Sequence, residues 1–420
     1  MDLPPKERAV LALLIRQQSK VVSKQAFADS AWRDKAMSDE SLARCISSIR
    51  GVVADLPGIR IESVYGTGYR LQIDSPGEAR YARLLNAAQA PPQAVEAFLH
   101  ARQLSQQRTP AALDRALTLL REVSLQHPRY AAARIALAEV LGAAASWGLN
   151  ADTTFVDEGL RHLDEAQRLD AASPGLATAR AFLLDSAWRF DEARGAWQRA
   201  IEQASTDPET LFLHGRFLLV TGDARGAIER LRAAVRLHPY SALLRVTLAR
   251  ALAHAGDVPG ACAEAASTCA DHPESAIAGI YHLGLLAWSQ PEPSLADAAW
   301  GWAERRDASP LALSVFAYAL ARTGRAGEAL ETVAACLGCP TTSPCVAALH
   351  VPTLVELGDL DRALALLAAA EQARCGVLPM ALRDPGNIAL RSLPAYAQLM
   401  DRVFGAGLVS SGHGSTGSPL

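Results

Sequence analysis

Leu42, Ile46, Ile49 and Val53 recur at intervals of four, three and four residues, which sets them on one side of a 3.6-residue period. That spacing predicts an amphipathic helix, with Ser38 or Asp39 available to cap its amino end. The opposite side carries Arg44, Ser47, Ser48 and Gly51, with Arg50 on the flank. These groups are small, polar or cationic, with little bulk to hold the helix away from a flat anionic surface. The period then changes to two. Ile59 and Ile61 alternate with polar residues, Val64 follows, the chain turns at Gly66-Thr67-Gly68, and Tyr69-Arg70-Leu71 runs back, which predicts a short hairpin. Upstream, Val10, Leu11, Leu14 and Ile15 form the buried stripe of a first helix over residues 4–16, opened by proline. Ser23 caps a second helix that runs through Phe27 to Trp32, and residues 34–37 turn into the third.

After Ile73 the composition shifts. Asp74-Ser75-Pro76-Gly77 reads as a linker and Ala90-Pro91-Pro92 as a second break. From residue 93 the chain is rich in Ala, Leu and Arg with a helical period, and it repeats. Residues 208–239 and 242–273 superimpose at an offset of 34: Gly215, Ala227, Ala234 and Pro239 match Ala249, Ala261, Thr268 and Pro273. The turn between helices repeats as Gly222-Asp223 and Gly256-Asp257. This is the tetratricopeptide (TPR) period, with small residues where two antiparallel helices cross. Looser copies run through Ala181, Ala193, Trp197 and Ala200, through Ala317, Gly324, Ala329 and Cys336, and through Gly358-Asp359, Ala363 and Ala370. Residues 116–128 fit the closing half of a first repeat. Seven or eight helix pairs are expected, with residues 289–310 irregular. Such arrays stack into a superhelix with a concave binding surface. The Gly/Ser-rich tail GAGLVSSGHGSTGSPL reads as disordered.

A third helix followed by a hairpin tipped with Gly and Arg is the arrangement of a winged helix. Residues 3–72 resemble the OmpR/PhoB-type winged-helix DNA-binding domain. The resemblance is carried by Leu3-x-Pro5-Lys6-Glu7, Val21-Val22-Ser23-Lys24, Trp32, Ile46-Ser47-x-Ile49-Arg50 and Gly66-x-Gly68-Tyr69-Arg70-Leu71. The run Ser41-Leu42-Ala43-Arg44-Cys45-Ile46 leans toward the branch containing ToxR, CadC and HilA, rather than toward receiver-linked response regulators. Residues 94–130, with Phe98, Arg102, Thr109-Pro110 and Ala116, resemble the first repeat that follows this domain in that branch. The resemblance implies a helix in the DNA major groove and a wing on the backbone. It implies Arg44 and Arg50 on phosphates or guanine edges, Ser47 and Ser48 at shorter reach, and Thr67 and Arg70 near the wing. Ser48 and Tyr65 stand where many members carry DNA-touching arginines. The family's small sheet ahead of the first helix has no counterpart after Met1; either it is dispensable here or the start lies upstream. Homodimers on direct or inverted half-sites are expected of the family, and RNA polymerase is a candidate partner of the repeat array.

Charge follows the same division. Residues 1–73 hold eleven Lys and Arg against eight Asp and Glu, while the rest hold thirty against thirty-six. The uncharged run over residues 275–291 is read as a buried solenoid helix rather than a membrane span. Seven cysteines without a leader are read as reduced thiols in the cytoplasm. Cys336, Cys339, Cys345 and His350 have the spacing range of a zinc site, but Cys336 occupies a small-residue packing position, and packing is the favoured reading. Cys262 and Cys269, seven apart on one helix, read as core. Gly66-x-Gly68 precedes a strand, not a helix, so it is no phosphate loop. No catalytic motif stands out, and no enzyme activity, metal or cofactor is expected.

Aligning the repeats puts Arg216, Arg250 and Tyr318 at one inner-face position, Phe212 and Val246 at another, and His254 and Arg322 at a third. Arginines in register along a groove could grip a partner's carboxylates or a small acid, or could pair with acids of neighbouring helices. The tryptophans at 147, 188, 197, 288, 300 and 302 read as packing between helices.

The expected molecule is mainly α: a winged helix-turn-helix (residues 1–74), a linker (75–92), an all-α TPR solenoid (93–404) and a tail (405–420). Its expected role is a promoter-binding transcriptional regulator, more an activator than a repressor, with a TPR domain that senses a protein or small ligand. Residence is expected on the nucleoid in the cytoplasm. The alternative is a TPR scaffold or adaptor whose winged helix is a docking module without DNA affinity.

Overall fold

The structure, a computed structural model, describes residues 4–16, 21–32, 36–53, 59–64, 66–73, 92–106, 110–146, 154–173, 175–304, 309–340 and 342–405. The chain divides into two compact units, Met1–Ala82 and Arg83–Leu420. The linker over residues 75–91, most of the tail, Tyr65, Thr109, Trp147 and residues 33–35 lie outside the described residues.

The first unit contains α1 (Pro5–Arg16), β1 (Val22–Ser23), α2 (Lys24–Phe27), α3 (Asp39–Val53), β2 (Ile59–Val64) and β3 (Gly68–Ile73). Val10, Leu14, Val22, Phe27, Trp32, Leu42, Cys45, Ile46, Ile49, Ile61 and Leu71 close one core. Thus Leu42, Ile46 and Ile49 of the predicted stripe are buried and Cys45 joins them, while the Val53 side chain lies outside the described residues. Ser38, rather than Asp39, caps α3: its Oγ accepts from the Ser41 amide at 3.1 Å.

Two features differ from the expectation. The second helix is not one α-helix to Trp32; α2 lasts one turn and passes into π-helix over Ala28–Trp32. Phe27 and Trp32, five residues apart, would diverge on an α-helix, and the wider π turn brings both onto the core. The hairpin also gains a third strand. Its antiparallel sheet has the order β1-β3-β2, with Val22 opposite Tyr69 and Val64 opposite Gly68. Gly68 permits this, because a Cβ there would stand 2.0 Å from the Val22 carbonyl oxygen.

The second unit is a stack of helix pairs: α4 (Pro92–Gln106) with α5 (Pro110–Gln126), α6 (Ala131–Ser146) with α7 (Thr154–Leu169), and α8 (Leu176–Ser186) with α9 (Phe190–Gln203). Next come α10 (Pro208–Thr221) with α11 (Ala224–Leu237), α12 (Ala242–His254) with α13 (Val258–Asp271), α14 (Ala276–Ser289) with α15 (Ser294–Ala303), and α16 (Pro310–Arg322) with α17 (Ala326–Leu337). The eighth pair sets the broken helix α18 (Pro344–Ala348) and α19 (Val351–Glu356) against α20 (Leu360–Gln372). Pro352 accounts for the break, since its ring opposes the carbonyl four residues back.

The 34-residue period is visible in the caps. Asp207, Ser241, Ser275, Ser309 and Ser343 each accept the backbone amide three residues on with a side-chain oxygen. Between paired helices, Gly222, Gly256 and Gly358 adopt positive φ, and Asp223, Asp257 and Asp359 cap the following helix. The small crossing residues Ala181, Ala227, Ala234, Ala261, Ala317, Ala329, Ala363 and Ala370 are fully buried.

One pair departs from this pattern. Residues 289–310, expected to be irregular, contain the ten-residue helix α15. Gln290-Pro291-Glu292-Pro293 stands where the Gly-Asp turn would fall, and Trp302 occupies a small-residue position. Gly279 makes room for it: a Cβ there would meet the Trp302 ring at 2.5 Å.

The array does not end at its last pair. α21 (Leu378–Ala381), a 3₁₀ stretch over Pro385–Ser392 and α22 (Pro394–Phe404) turn back across earlier repeats. Phe404 stacks on Phe190 with centroids 5.3 Å apart. The Arg374 guanidinium covers Trp188 at 5.2 Å, and a Cβ on Gly376 would lie 2.3 Å from the Ser146 backbone. The expectation of seven reduced thiols is corrected here: Cys345 and Cys375, both buried, form a disulfide that joins α18 to the turn after α20, leaving five cysteines outside any disulfide. The return of the chain after α20 brings the two cysteines together, which thirty residues of separation do not reveal. Among the described residues no helix is long and apolar enough to cross a membrane.

Tight crossings imply opposite responses at two glycines. Gly215→Leu puts a branched side chain where a Cβ alone would lie 2.8 Å from Leu231 Cγ, and should cost about 1–3 kcal/mol by overpacking. Gly195→Ala, exposed within α9 with only the Arg199 side chain near, should gain roughly 0.5–1 kcal/mol. Urea midpoints of the two variants check both signs.

Candidate nucleic-acid interface and inner-face cavity

On the first unit, α3 turns its apolar side inward and exposes Arg44, Ser47, Ser48 and Gly51. Arg44 pairs with Glu40 one turn earlier at 3.1 Å, with both side chains largely in solvent. Such a pair is worth about 0–1 kcal/mol, so a phosphate can displace the glutamate. Arg70 bridges the hairpin to its register partner Glu62 at 2.6 Å. Thr67 is exposed at the turn, and its carbonyl accepts from the Lys24 amide at 3.2 Å, which fastens the wing to α2. Lys24 Nζ in turn reaches Asp39 at 2.5 Å.

Arg50 is placed differently from its neighbours. Its Nε and Nη2 donate to the Ile61 carbonyl at 3.0 and 2.7 Å, and Nη2 also donates to Ser63 Oγ at 3.0 Å. The guanidinium therefore ties α3 to β2. Arg44, Ser47 and Ser48 remain as the outward set on α3, flanked by Thr67 and Arg70 on the wing; Tyr65 falls outside the described residues.

On the second unit the inner-face residues separate. Val246, Arg250, His254 and Tyr318 line a cavity of about 210 Å³, together with Tyr281, Gly284, Leu285, Trp288, Val315, Asp384 and Asn387. Phe212 is buried in the main core instead. Arg216 faces Asp185, whose carboxyl is pushed up to about 7 by burial, with Arg216 opposing. Arg322 donates to the Ala287 and Trp288 carbonyls at 3.0 and 3.1 Å and to Glu356 at 3.0 and 3.1 Å, so it serves the packing of three successive repeats. The position shared by Arg216, Arg250 and Tyr318 is Gly284 in the intervening repeat, and that missing side chain opens the cavity. The glycine was readable in the repeat alignment. Asp384 and Asn387 were not, because only the fold-back of the C-terminal segment brings them here.

Arg250 and Asp384 are the cation and the acid among the lining residues. The Arg250 guanidinium lies 4.9 Å above the Tyr281 ring. Burial, followed by the charges of Arg250, Arg391 and Arg383, holds the His254 imidazole down to about 3. Burial likewise pushes the Asp384 carboxyl up and the Tyr318 hydroxyl up. Cys336, Cys339, Cys345 and His350 do not converge: Cys345 is disulfide-bonded, and the buried His350 has neither ring nitrogen hydrogen-bonded among the described residues. Among those residues no group of three or more metal-ligating side chains forms.

Comparison with known proteins defines the class of the first unit. Residues 1–71 match the family "Transcriptional regulatory protein, C terminal", so this unit is an OmpR/PhoB-type winged-helix domain followed here by TPR-like repeats. The same stretch is 42% identical over 71 residues to "Transcriptional regulator HilA" of Salmonella typhi and 41% identical to that of Salmonella typhimurium. Those alignments take in 17% of this chain and 13% of the relatives' length. Among solved structures, yeast Tom70 aligns at 12% identity with a TM-score of 0.46, over 86% of this chain and 82% of that one. An IFIT1 monomeric mutant aligns at 13% with a TM-score of 0.38, over 97% and 85%.

Two outcomes follow from these placements. Arg50→Met should release the hairpin from α3, a loss of roughly 1 kcal/mol. Hydrogen exchange of β2 and β3 amides should then quicken about fivefold, while Arg44→Ala leaves it unchanged. A histidine held neutral binds its proton more readily when unfolded, so its contribution is complete above about 6.5 and is lost as pH falls toward its folded value of about 3. His254→Gln lacks that loss, and its melting temperature should therefore gain on the parent chain between pH 7 and 4.5.

Proposed function

We propose that the chain is a DNA-binding transcriptional regulator, with α3 in the major groove and the β2–β3 wing on the backbone. The observation that carries this reading is the outward face of α3, small, polar and exposed at Arg44, Ser47 and Ser48, on a domain 42% identical to the corresponding part of HilA. In this reading Arg44 meets a phosphate or a guanine edge, the serines make short contacts, and Thr67 and Arg70 reach the backbone. Arg50 positions the wing relative to the helix. The TPR-like array is the sensing or protein-contacting part. Activation, contact with RNA polymerase and dimerisation on half-sites belong to the same proposal.

One observation favours a second reading, a TPR scaffold whose winged helix docks protein. Arg44, Arg70 and Lys24 each face an acid of the same domain, which reduces the charge available to phosphates.

Genome-wide occupancy of the intact protein beside an Arg44→Ala/Ser47→Ala variant separates the readings. The regulator gives discrete peaks that the variant loses. On a fragment recovered from such a peak, affinity should fall linearly on a log–log salt plot, and Arg44→Ala should lower it roughly tenfold. Expressed, folded protein with no peaks and no low-salt retention would leave the scaffold reading in its place.

A further inference from the structure

The cavity around Gly284 has the composition of a binding site rather than of a packing defect. Its lining combines the polar Arg250, His254, Asp384 and Tyr318 with the apolar Leu285, Trp288 and Val315, and Tyr281 lies beneath the guanidinium. Arg250 donates no hydrogen bond among the described residues, although it is half-buried beside this space. Arg383 and Arg391 add positive charge close to His254, and Asp384 is an acid set against Arg250 and Arg391. Asn387 anchors itself by donating to the Ala381 carbonyl at 2.8 Å, which leaves its buried Oδ1 without a partner.

We propose that this cavity binds a small aromatic carboxylic acid, its carboxylate paired with Arg250 and its ring held among Tyr281, Leu285, Trp288 and Val315. Size and charge both select this class. An apolar cavity of about 150 Å³ accepts benzene, so about 210 Å³ accommodates a ring with a short acid arm. Arginine presents a fork that matches a carboxylate with two parallel hydrogen bonds. Removing that carboxylate from water requires such a partner, and Arg250 is the guanidinium lining the space. The site also joins distant parts of the array, since α12, α14, α16 and the break between α18 and α19 line it together with residues 377–387. An occupant would thus brace the returning C-terminal segment against the middle repeats, which gives the array a means of reporting it.

The assignment deepens the reading of the array as a regulator's sensing part and rests on it. Calorimetric titration of the intact chain with phenylacetate, 4-hydroxyphenylacetate and indole-3-acetate tests it, with phenylacetamide as the uncharged control. At least one acid should saturate with a Kd below about 1 mM, while the amide binds tenfold or more weakly. Arg250→Gln should lose the acid, and Arg250→Lys should retain it within about tenfold. Gly284→Leu, which projects a side chain into the cavity, should abolish it. Urea midpoints measured without ligand show that each variant is folded. Equal binding of acid and amide, or unaltered binding by folded Arg250→Gln, overturns the assignment. So does the absence of saturation by all three acids on the folded parent chain. DNA retention by the same preparation, measured without acid, stands or falls separately.

Discussion

Close approach of helices at small residues is the constraint on which the larger unit depends. An α-helix pair can cross tightly only where a side chain is nearly absent, and the chain supplies such residues 34 positions apart, as at Ala181, Gly215 and Ala249 or Ala227 and Ala261. Capping residues at the same interval start each helix at the same point of the repeat. The period therefore belongs to the backbone as much as to the side chains. Where it is broken, the departure is matched nearby: Trp302 in a small-residue position is received by Gly279. At Gly284 only the Val315 side chain comes within 4 Å of where a Cβ would stand, and the array keeps a cavity.

The winged helix obeys a different economy of arginines. Its small core closes with eleven buried side chains, and the helix is joined to the hairpin partly through the Arg50 guanidinium. A cation near a candidate DNA face is not by that fact a DNA contact. The same residue type serves cohesion at Arg50, an exchangeable surface pair at Arg44, and a cross-strand bridge at Arg70. The arginines of the array divide in a similar way. Arg322 bonds carbonyls and Glu356 of adjoining repeats, whereas Arg250 stands over a ring at the edge of open space.

Much of this was legible in the residues. The stripe of Leu42, Ile46 and Ile49, the turn at Gly66 and Gly68, and the 34-residue offset all depend on local periodicity, and they appear as read. Elements with no local signature did not show. β1 is two residues long and exists because β3 offers it an edge. The π turn before Trp32 answers a need of the core rather than a preference of its own residues. Helix α15 lies within a stretch whose prolines suggested irregularity, yet its neighbours α14 and α16 provide the surface that orders it.

The sequence by itself determined the two-part plan, the helix–hairpin order of the first part and the repeat period of the second. These follow from spacing along a regular backbone, which any chain with that pattern must present. The tertiary structure alone decided that Arg50 is engaged within the domain and that Cys345 meets Cys375. It alone brings Asp384 and Asn387 to a cavity beside Arg250, because those neighbours are set by the return of residues 374–404 across the middle repeats, through contacts between parts of the chain that no short-range pattern connects.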